Sequence, residues 1–288
     1  MNMHAQQMFS VLSICSYLLV FSFLAHPSTS APQSFVYAGC SQLKYTPGTP
    51  YESNVNSILA SLVNSAAFSN YNNFNSSLPG TDVVYGLFQC RGDLSNSDCH
   101  DCVTYAVSRI GTLCSGSSGG ALQLDGCFVK YDNTSFLGDE DKTVVLKRCG
   151  PPIGYDSDVL IRRNALLAYL TGGGQYFRIG GSGNAQGIAL CVQDLNTSEC
   201  QDCLSEAITR LKSECQSSTW GDMFLAKCYA RFSERGYTSK NDKDDDDDDD
   251  DDDMERTLAI VIGLIAGVAV IIVFLSYFSK RCDGKGGK

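Results

Sequence analysis

The 288-residue chain has only three histidines and shows no nucleophile-elbow, phosphate-loop, HExxH or kinase pattern. Those absences remove the usual sequence routes to serine hydrolysis, nucleotide binding, zinc proteolysis and phosphoryl transfer. A basic patch is missing too. Residues 31–241 carry 16 Lys and Arg against 19 Asp and Glu, so nothing favours nucleic acid as a partner. The formal net charge of −10 comes from one place, residues 242–253, with 11 Asp against one Lys. The carboxylate pairs Asp98/Asp101 and Asp139/Asp141 fall in polar helix or loop contexts and read as solvated or capping groups. No cofactor or metal motif appears, and only ten residues follow Phe278, too few for a cytosolic catalytic domain. The expectation is a chain that is not an enzyme.

Cysteine, by contrast, is abundant and patterned. Of 14 cysteines, 12 fall into two sets of six. Cys90, Cys99, Cys102, Cys114 and Cys127 recur as Cys191, Cys200, Cys203, Cys215 and Cys228, each at an offset of 101 residues, and each set has a leader, Cys40 or Cys149. Four consecutive gaps preserved between two copies mark an internal repeat. Even-numbered cysteines in modules of this size read as disulfides formed in an oxidising compartment, each adding roughly 2–4 kcal/mol. Cys-x2-Cys alone also suits zinc or thiol redox work. Against zinc, His100 beside the first pair becomes Gln201 in the repeat. Against redox work, both pairs lie on helix faces whose apolar neighbours imply burial.

In the first module, Ser34–Ser41 reads as a strand, and Ser53 is placed to cap a helix with Val55, Ile58, Leu59, Leu62 and Ala66 in register. An Asn- and Ser-rich loop, 69–80, leads to a buried strand, Val83–Cys90. Ser95 and Asp98 have capping-box spacing ahead of a helix with Cys99, Cys102, Val103, Ala106, Ile110 and Leu113 on one face. Ala121–Asp132 supplies further strand, and Thr143–Leu146 is expected to pair with it. The second module repeats the plan. Tyr155–Val159 echoes Tyr51–Val55, and Leu166, Leu167 and Leu170 continue that helix. The seven glycines of 172–187 imply a loop that is mobile or closely packed. Asn196 and Glu199 replace the capping pair, Leu204, Ala207, Ile208 and Leu211 repeat the stripe, and Met223–Phe232 is the matching strand region. The pattern predicts an α+β fold with helices on one face of an antiparallel sheet. So little chain separates the two sets that the modules are expected to dock on each other.

The ends deliver these modules to a cell surface. Residues 1–30 read as a signal peptide, with the apolar run Val11–Ala25, small residues before Ala31 and no basic n-region; an uncleaved anchor is the alternative. Cys15 belongs to that segment. Leu258–Phe278 holds 21 residues without formal charge, enough for one transmembrane helix. Lys280, Arg281, Lys285 and Lys288 follow it, which places the C-terminus in the cytosol and the modules outside, a type I arrangement. Gly263 and Gly267 have the small-xxx-small spacing of associating spans, so homo- or hetero-dimerisation through the span is one reading. Cys282 at the inner leaflet suits S-acylation or a plain thiol. Asp244–Asp253 reads as a solvated spacer, with a weak calcium-attracting brush as the alternative. Asn75, Asn133 and Asn196 head Asn-x-Ser/Thr glycosylation signals; at Asn196, capping and glycan attachment are expected to compete. The expected divisions are therefore a signal peptide at 1–30, cysteine-rich modules at 31–147 and 148–236, an acidic stem at 237–257, the span at 258–278 and a tail at 279–288.

With Cys-x8-Cys-x2-Cys in both halves, the chain resembles plant ectodomains of the ginkbilobin-like, stress-antifungal type. Two modules, one span and a very short tail are similar to the plasmodesmata-located protein family. The resemblance implies two helices on a five-stranded antiparallel sheet in each module. It implies the bridges Cys40–Cys114, Cys90–Cys99, Cys102–Cys127, Cys149–Cys215, Cys191–Cys200 and Cys203–Cys228. It further implies residence at plasmodesmata, where such proteins limit cell-to-cell traffic, promote callose deposition, act in defence signalling and are engaged by viral movement proteins. Outer ligands in this picture are a wall polysaccharide, a lipid or a protein, with receptor kinases among the partners. A membrane-tethered lectin and a kinase-less co-receptor are the alternatives. The secreted antifungal relative grips mannose with an Asn, an Arg and a Glu. Here those places hold Ser41, Ala121 and Asp132 in module one, and Gly150, Asp222 and Ser233 in module two. The basic member is gone from both, so sugar binding by that mode is not expected.

Overall fold

The computed structural model describes residues 32–76, 83–152 and 157–234. The expected signal peptide, stem, span, tail, Cys15 and Cys282 lie outside those residues. Among the described residues no helix is long and apolar enough to cross a membrane.

Two five-stranded antiparallel sheets form, each with two helices. The first contains β1 (Phe35–Cys40), β2 (Tyr71–Ser76), β3 (Val84–Cys90), β4 (Gly120–Leu124) and β5 (Cys127–Asp132), in the order β1-β4-β5-β3-β2. Its helices are α1 (Pro50–Ala66) and α2 (Asn96–Leu113). The second contains β6 (Val144–Cys149), β7 (Phe177–Ser182), β8 (Ala185–Cys191), β9 (Trp220–Leu225) and β10 (Cys228–Glu234), in the order β6-β9-β10-β8-β7, with α3 (Ser157–Thr171) and α4 (Thr197–Glu214).

Strand alternation sets the layers. Along β3, Phe88 and Cys90 join the core beneath α1 and α2, whereas Leu87 belongs to a separate cluster on the opposite face. Along β10, Ala230 and Phe232 point to α3 and α4, whereas Tyr229 lies on the other face. Each sheet therefore has a helix-covered face and a bare apolar one, and the two bare faces meet. The result is helix, sheet, sheet, helix.

Six disulfides rivet this frame. Cys40 joins Cys114, Cys90 joins Cys99 and Cys102 joins Cys127; Cys149 joins Cys215, Cys191 joins Cys200 and Cys203 joins Cys228. These are the pairs the family resemblance implies. Each set ties one helix, α2 or α4, to three strands, with Cα separations of 5.3 to 6.1 Å.

Several local expectations are corrected. Helix α1 starts at Pro50, ahead of Ser53, because a proline at the first turn has a preset φ and no N–H to leave unpaired. Ser95 accepts the Asp98 amide, but the short Asp98 side chain meets the Ser95 hydroxyl at 2.7 Å instead of reaching back to its amide. In α4 the longer Glu199 completes the box, its carboxylate accepting the Asn196 amide at 2.9 Å. Leu113 is 45% exposed, past the end of the buried stripe. The stretches 69–80 and 172–187 are not plain loops; they contain β2, and β7 with the start of β8. Glycine suits β7 because a Cβ at Gly180 would stand 2.7 Å from the Tyr169 ring. Thr143–Leu146 does not close the first sheet. Its strand β6, Val144–Cys149, pairs with β9, so the first strand of the second sheet runs across the boundary expected after residue 147.

Candidate functional site: the seam between the modules

The bare faces are joined by two apolar clusters. In one, Val36 of β1 packs with Leu190, Phe224 and Tyr229 of the second module. Tyr37 stands edge-on to Phe224 at 5.8 Å, and Phe224 lies 4.7 Å from Tyr229. In the other, Leu87 and Phe128 pack with Phe136 of the connector and Val192 of the second module. Burial pushes the phenols of Tyr37 and Tyr229 well above their ordinary range. Gly92 meets the Phe177 ring so closely that a Cβ would stand 2.7 Å from it.

Several polar groups bond across the seam. The buried Gln89 accepts the Gln193 amide at 3.0 Å while its own amide donates to the Cys90 carbonyl at 2.9 Å. Arg148 donates to the Val36 carbonyl at 3.3 Å. At the centre, Asp125 of module one lies between Arg91 at 2.6 Å and Arg231 of module two at 2.5 Å. Arg231 also holds Asp222 at 2.8 Å, and Arg91 holds Asp93 at 2.8 Å. Burial alone would favour neutral guanidines. The charges of Asp222 and Asp125 outweigh it at Arg231, and those of Asp93 and Asp125, with the Asp93 hydrogen bond, outweigh it at Arg91, so both sit above the ordinary arginine value. A second cluster pins the connector. Lys227 pairs with Asp194, both 3% exposed, and donates to the Phe136 carbonyl at 2.7 Å, while Asp194 accepts the Gly138 amide at 3.1 Å. Lys130 lies 4.3 Å above the Phe136 ring, its pKa lowered by burial and by Lys227.

The positions corresponding to the sugar grip fall partly into this seam. Ser41 and Asp132 flank Gly119 at one end of the first sheet: the Ser41 amide donates to Gly119, and Asp132 sits beside it. Ser41 is bonded to Ser118 at 3.1 Å, and Asp132 accepts the Thr134 amide at 3.0 Å. Ala121 packs against the seam cluster. In module two, Asp222 is 2% exposed and committed to Arg231, Gly150 abuts the Trp220 ring, and Ser233 bonds Gln186 at 3.4 Å. Neither set presents a basic fork to solvent. The arrangement can lock two bodies together. Among the described residues no group of three or more His, Cys, Asp or Glu is placed to hold a metal.

The other candidate residues are peripheral. Asn75 is exposed on edge strand β2, Asn133 is half-buried in the bend after β5, and Asn196 is exposed at the head of α4. The Asn196 carbonyl oxygen caps the Ser198 and Glu199 amides at 2.9 and 3.0 Å. Its amide nitrogen, the atom a glycan would use, takes no part in the cap.

Sequence reasoning missed the seam charges apart from Asp222. A partial signal existed, because some of them sit where the two copies differ. Arg91 and Asp125 correspond to Val192 and Ala226, and Asp222 and Lys227 correspond to Ala121 and Gly126, whereas Asp93 with Asp194 and Lys130 with Arg231 keep their charge in both copies. A charge in one copy opposite a small or apolar residue in the other marks a surface used asymmetrically.

Fold, bridges and seam together define a tandem cysteine-rich ectodomain of the salt stress response/antifungal class, whose family model matches residues 39–134 and 157–235. Two solved structures share the arrangement. The tandem DUF26 ectodomain of the Arabidopsis thaliana cysteine-rich receptor-like protein PDLP5 matches with a TM-score of 0.67 at 48% identity, over 70% of this chain and 100% of that one. That of PDLP8 matches with a TM-score of 0.69 at 39% identity, over 71% and 100%. Among curated relatives, Plasmodesmata-located protein 6 of Arabidopsis thaliana is 54% identical over 94% of this chain and 97% of its own. Plasmodesmata-located protein 7 of the same plant is 54% identical over 90% and 87%. The chain belongs to the plasmodesmata-located protein family.

Proposed function

We propose that this chain is a type I single-pass protein of plasmodesmata, whose two modules act outside the cell as one rigid, non-enzymatic binding body that regulates cell-to-cell traffic. The observation that carries this reading is the extent of the match to Plasmodesmata-located protein 6. An alignment over 94% of this chain cannot be confined to the modules and takes in most of the stretch beyond residue 234 as well. The seam supports the rigid-body part, since the connector and both sheets are held by apolar packing and by buried ion pairs. In this reading residues 1–30 are removed on export, 258–278 cross the membrane and 279–288 lie in the cytosol. The six bridges form outside, Asn75, Asn133 and Asn196 are open to glycans, and Cys282 is available for acylation. A wall polysaccharide, a lipid or a protein is bound by the modules, and receptor kinases and viral movement proteins are candidate partners.

The test is a C-terminal fluorescent fusion in intact tissue, combined with the spread of a free fluorescent reporter between neighbouring cells. Puncta at cell junctions and reduced spread on overexpression are expected. A uniform plasma-membrane outline would sink the proposal.

A further inference from the structure

Helix α3 has two apolar faces. Its inner face, with Val159, Leu166, Leu167 and Leu170, is buried in the second core, as the repeat requires. Its outer face carries Ile161, Ala165, Ala168 and Tyr169, all exposed, with Ile161 at 65% and Tyr169 at 55%. The spacing i, i+4, i+7, i+8 makes this one continuous stripe. The repeat supplies an internal control. The same four positions on α1 are Ser57, Ser61, Asn64 and Ser65, so the same fold solvates this face with polar side chains in module one. The apolar stripe is therefore no requirement of the architecture.

We propose that the outer face of α3 binds the same face of a second copy of this chain, as a two-fold symmetric pair of antiparallel helices centred on Ala165. The stripe is self-complementary. Position 165 lies midway between 161 and 169, so a dyad there sets each Ile161 against the partner's Tyr169. The alanines at 165 and 168 leave room for the helices to approach closely, with the larger residues as knobs at both ends. The ends are complementary in charge. Asp158 stands in the first turn, whereas Arg178 sits at the C-terminal end of α3, donating to the Tyr169 carbonyl at 2.8 Å with its guanidinium 5.4 Å from the Tyr169 ring. Antiparallel pairing brings each acidic end to the other's basic end and opposes the helix dipoles favourably. The described chain also ends beside this helix, at Glu234, whose carboxylate lies 3.9 Å from Arg162 of α3. With the membrane span proposed above, copies in one membrane meet at high effective concentration, so a modest interface suffices. That step rests on the single-pass reading, whereas the surface itself does not depend on residence at plasmodesmata.

The test uses the full-length chain in membranes. Ala165→Cys places a thiol on the dyad, where it meets its own copy; Ser61→Cys puts the same thiol at the equivalent site of module one. A165C is expected to run as a disulfide-linked dimer on a non-reducing gel, and S61C as a monomer. Ile161→Glu is expected to lower co-purification of two differently tagged copies about tenfold. The cross-link of A165C should persist when Gly263 and Gly267 are both changed to Leu, which separates α3 from the span. Three results would overturn the proposal. One is A165C remaining monomeric with its six native bridges verified by peptide mass mapping. Another is I161E leaving co-purification unchanged. The third is A165C cross-linking to a different protein, which would assign the face to another partner.

Discussion

Arg231, on the last strand of the second module, reaches across the seam to Asp125 in the β4–β5 turn of the first and holds it at 2.5 Å. Asp125 is shared with Arg91, so one buried carboxylate bridges two guanidiniums from different modules, each of which has a second carboxylate, Asp93 or Asp222, in its own module. The relationship makes the two repeats a single body, and it gives each repeat a role the other lacks.

Replacing Asp125 by Ala should therefore be costly. It removes the only carboxylate that bridges the modules, although Arg91 keeps Asp93 and Arg231 keeps Asp222. No charge is orphaned, so the cost is that of lost charge-assisted hydrogen bonds, about 1.5–3 kcal/mol. For a folded region of this size that is a fall in melting temperature of about 3–10 °C, read by thermal unfolding of the purified protein. Asp125→Asn, which retains hydrogen-bond acceptance, should fall between the two. A D125A midpoint equal to that of the unaltered protein would show that the seam is held by apolar contact alone.

The six bridges should differ in accessibility to a reducing agent. Cys40 and Cys149 are exposed at the ends of edge strands β1 and β6, whereas the other ten bridging cysteines are buried. Thiol–disulfide exchange needs in-line access of a thiolate to a sulfur. Cys40–Cys114 and Cys149–Cys215 should open first under limiting reductant without denaturant, and alkylation with peptide mass mapping would report it. Simultaneous opening of all six, or earlier loss of Cys90–Cys99, would contradict the burial pattern.

What was legible in the sequence divides by whether it is written in one copy or in contacts between copies. The cysteine offset marked the repeat, and helical periodicity placed α2 and α4 because Cys99, Cys102, Val103, Ala106 and Ile110, like their counterparts in the repeat, fall on one face at helical spacing. Strands β2 and β7 were hidden, since Asn72, Asn73 and Asn75 in one and Gly180 and Gly181 in the other have poor strand propensity. They are strands because β3 and β8 offer them an edge to pair with. Sequence distance pairs Thr143–Leu146 with the nearer sheet, whereas the Cys149–Cys215 bridge and β9, which hold β6, lie downstream. The short connector implies that the modules dock. The chemistry of the docking is not legible, because Asp125 and Arg231 are 106 positions apart and look like ordinary surface charges.

Alkali should unfold the protein through its tyrosines. Burial pushes the Tyr131 phenol up to about 12 from an ordinary value of 10.0, and raises Tyr37 and Tyr229 as well. With the folded pKa above the unfolded one, the unfolded chain loses its phenolic protons first as pH rises past 10. Stability is then intact below that value and declines between 10 and 12, by on the order of 2–3 kcal/mol for Tyr131 alone. Ultraviolet absorbance of phenolate should show a normal fraction titrating near 10 and a delayed fraction whose appearance coincides with loss of tertiary circular dichroism. Titration of every tyrosine near 10 in the native protein would contradict the buried positions.

Asn196 separates capping from glycosylation by atom. Its carbonyl oxygen holds the Ser198 and Glu199 amides, and an N-linked glycan would use its amide nitrogen. Ser198→Ala destroys the glycosylation signal but leaves the cap, because that bond uses the Ser198 backbone amide. It should lower the glycosylated mass by one glycan while leaving the unfolding midpoint of enzymatically deglycosylated protein unchanged. Asn196→Ala should lower the mass equally and also cost about 1 kcal/mol for the lost N-cap. Equal midpoints for the two variants would mean that the cap contributes nothing measurable to α4. An unchanged mass in both would mean that this signal is not used.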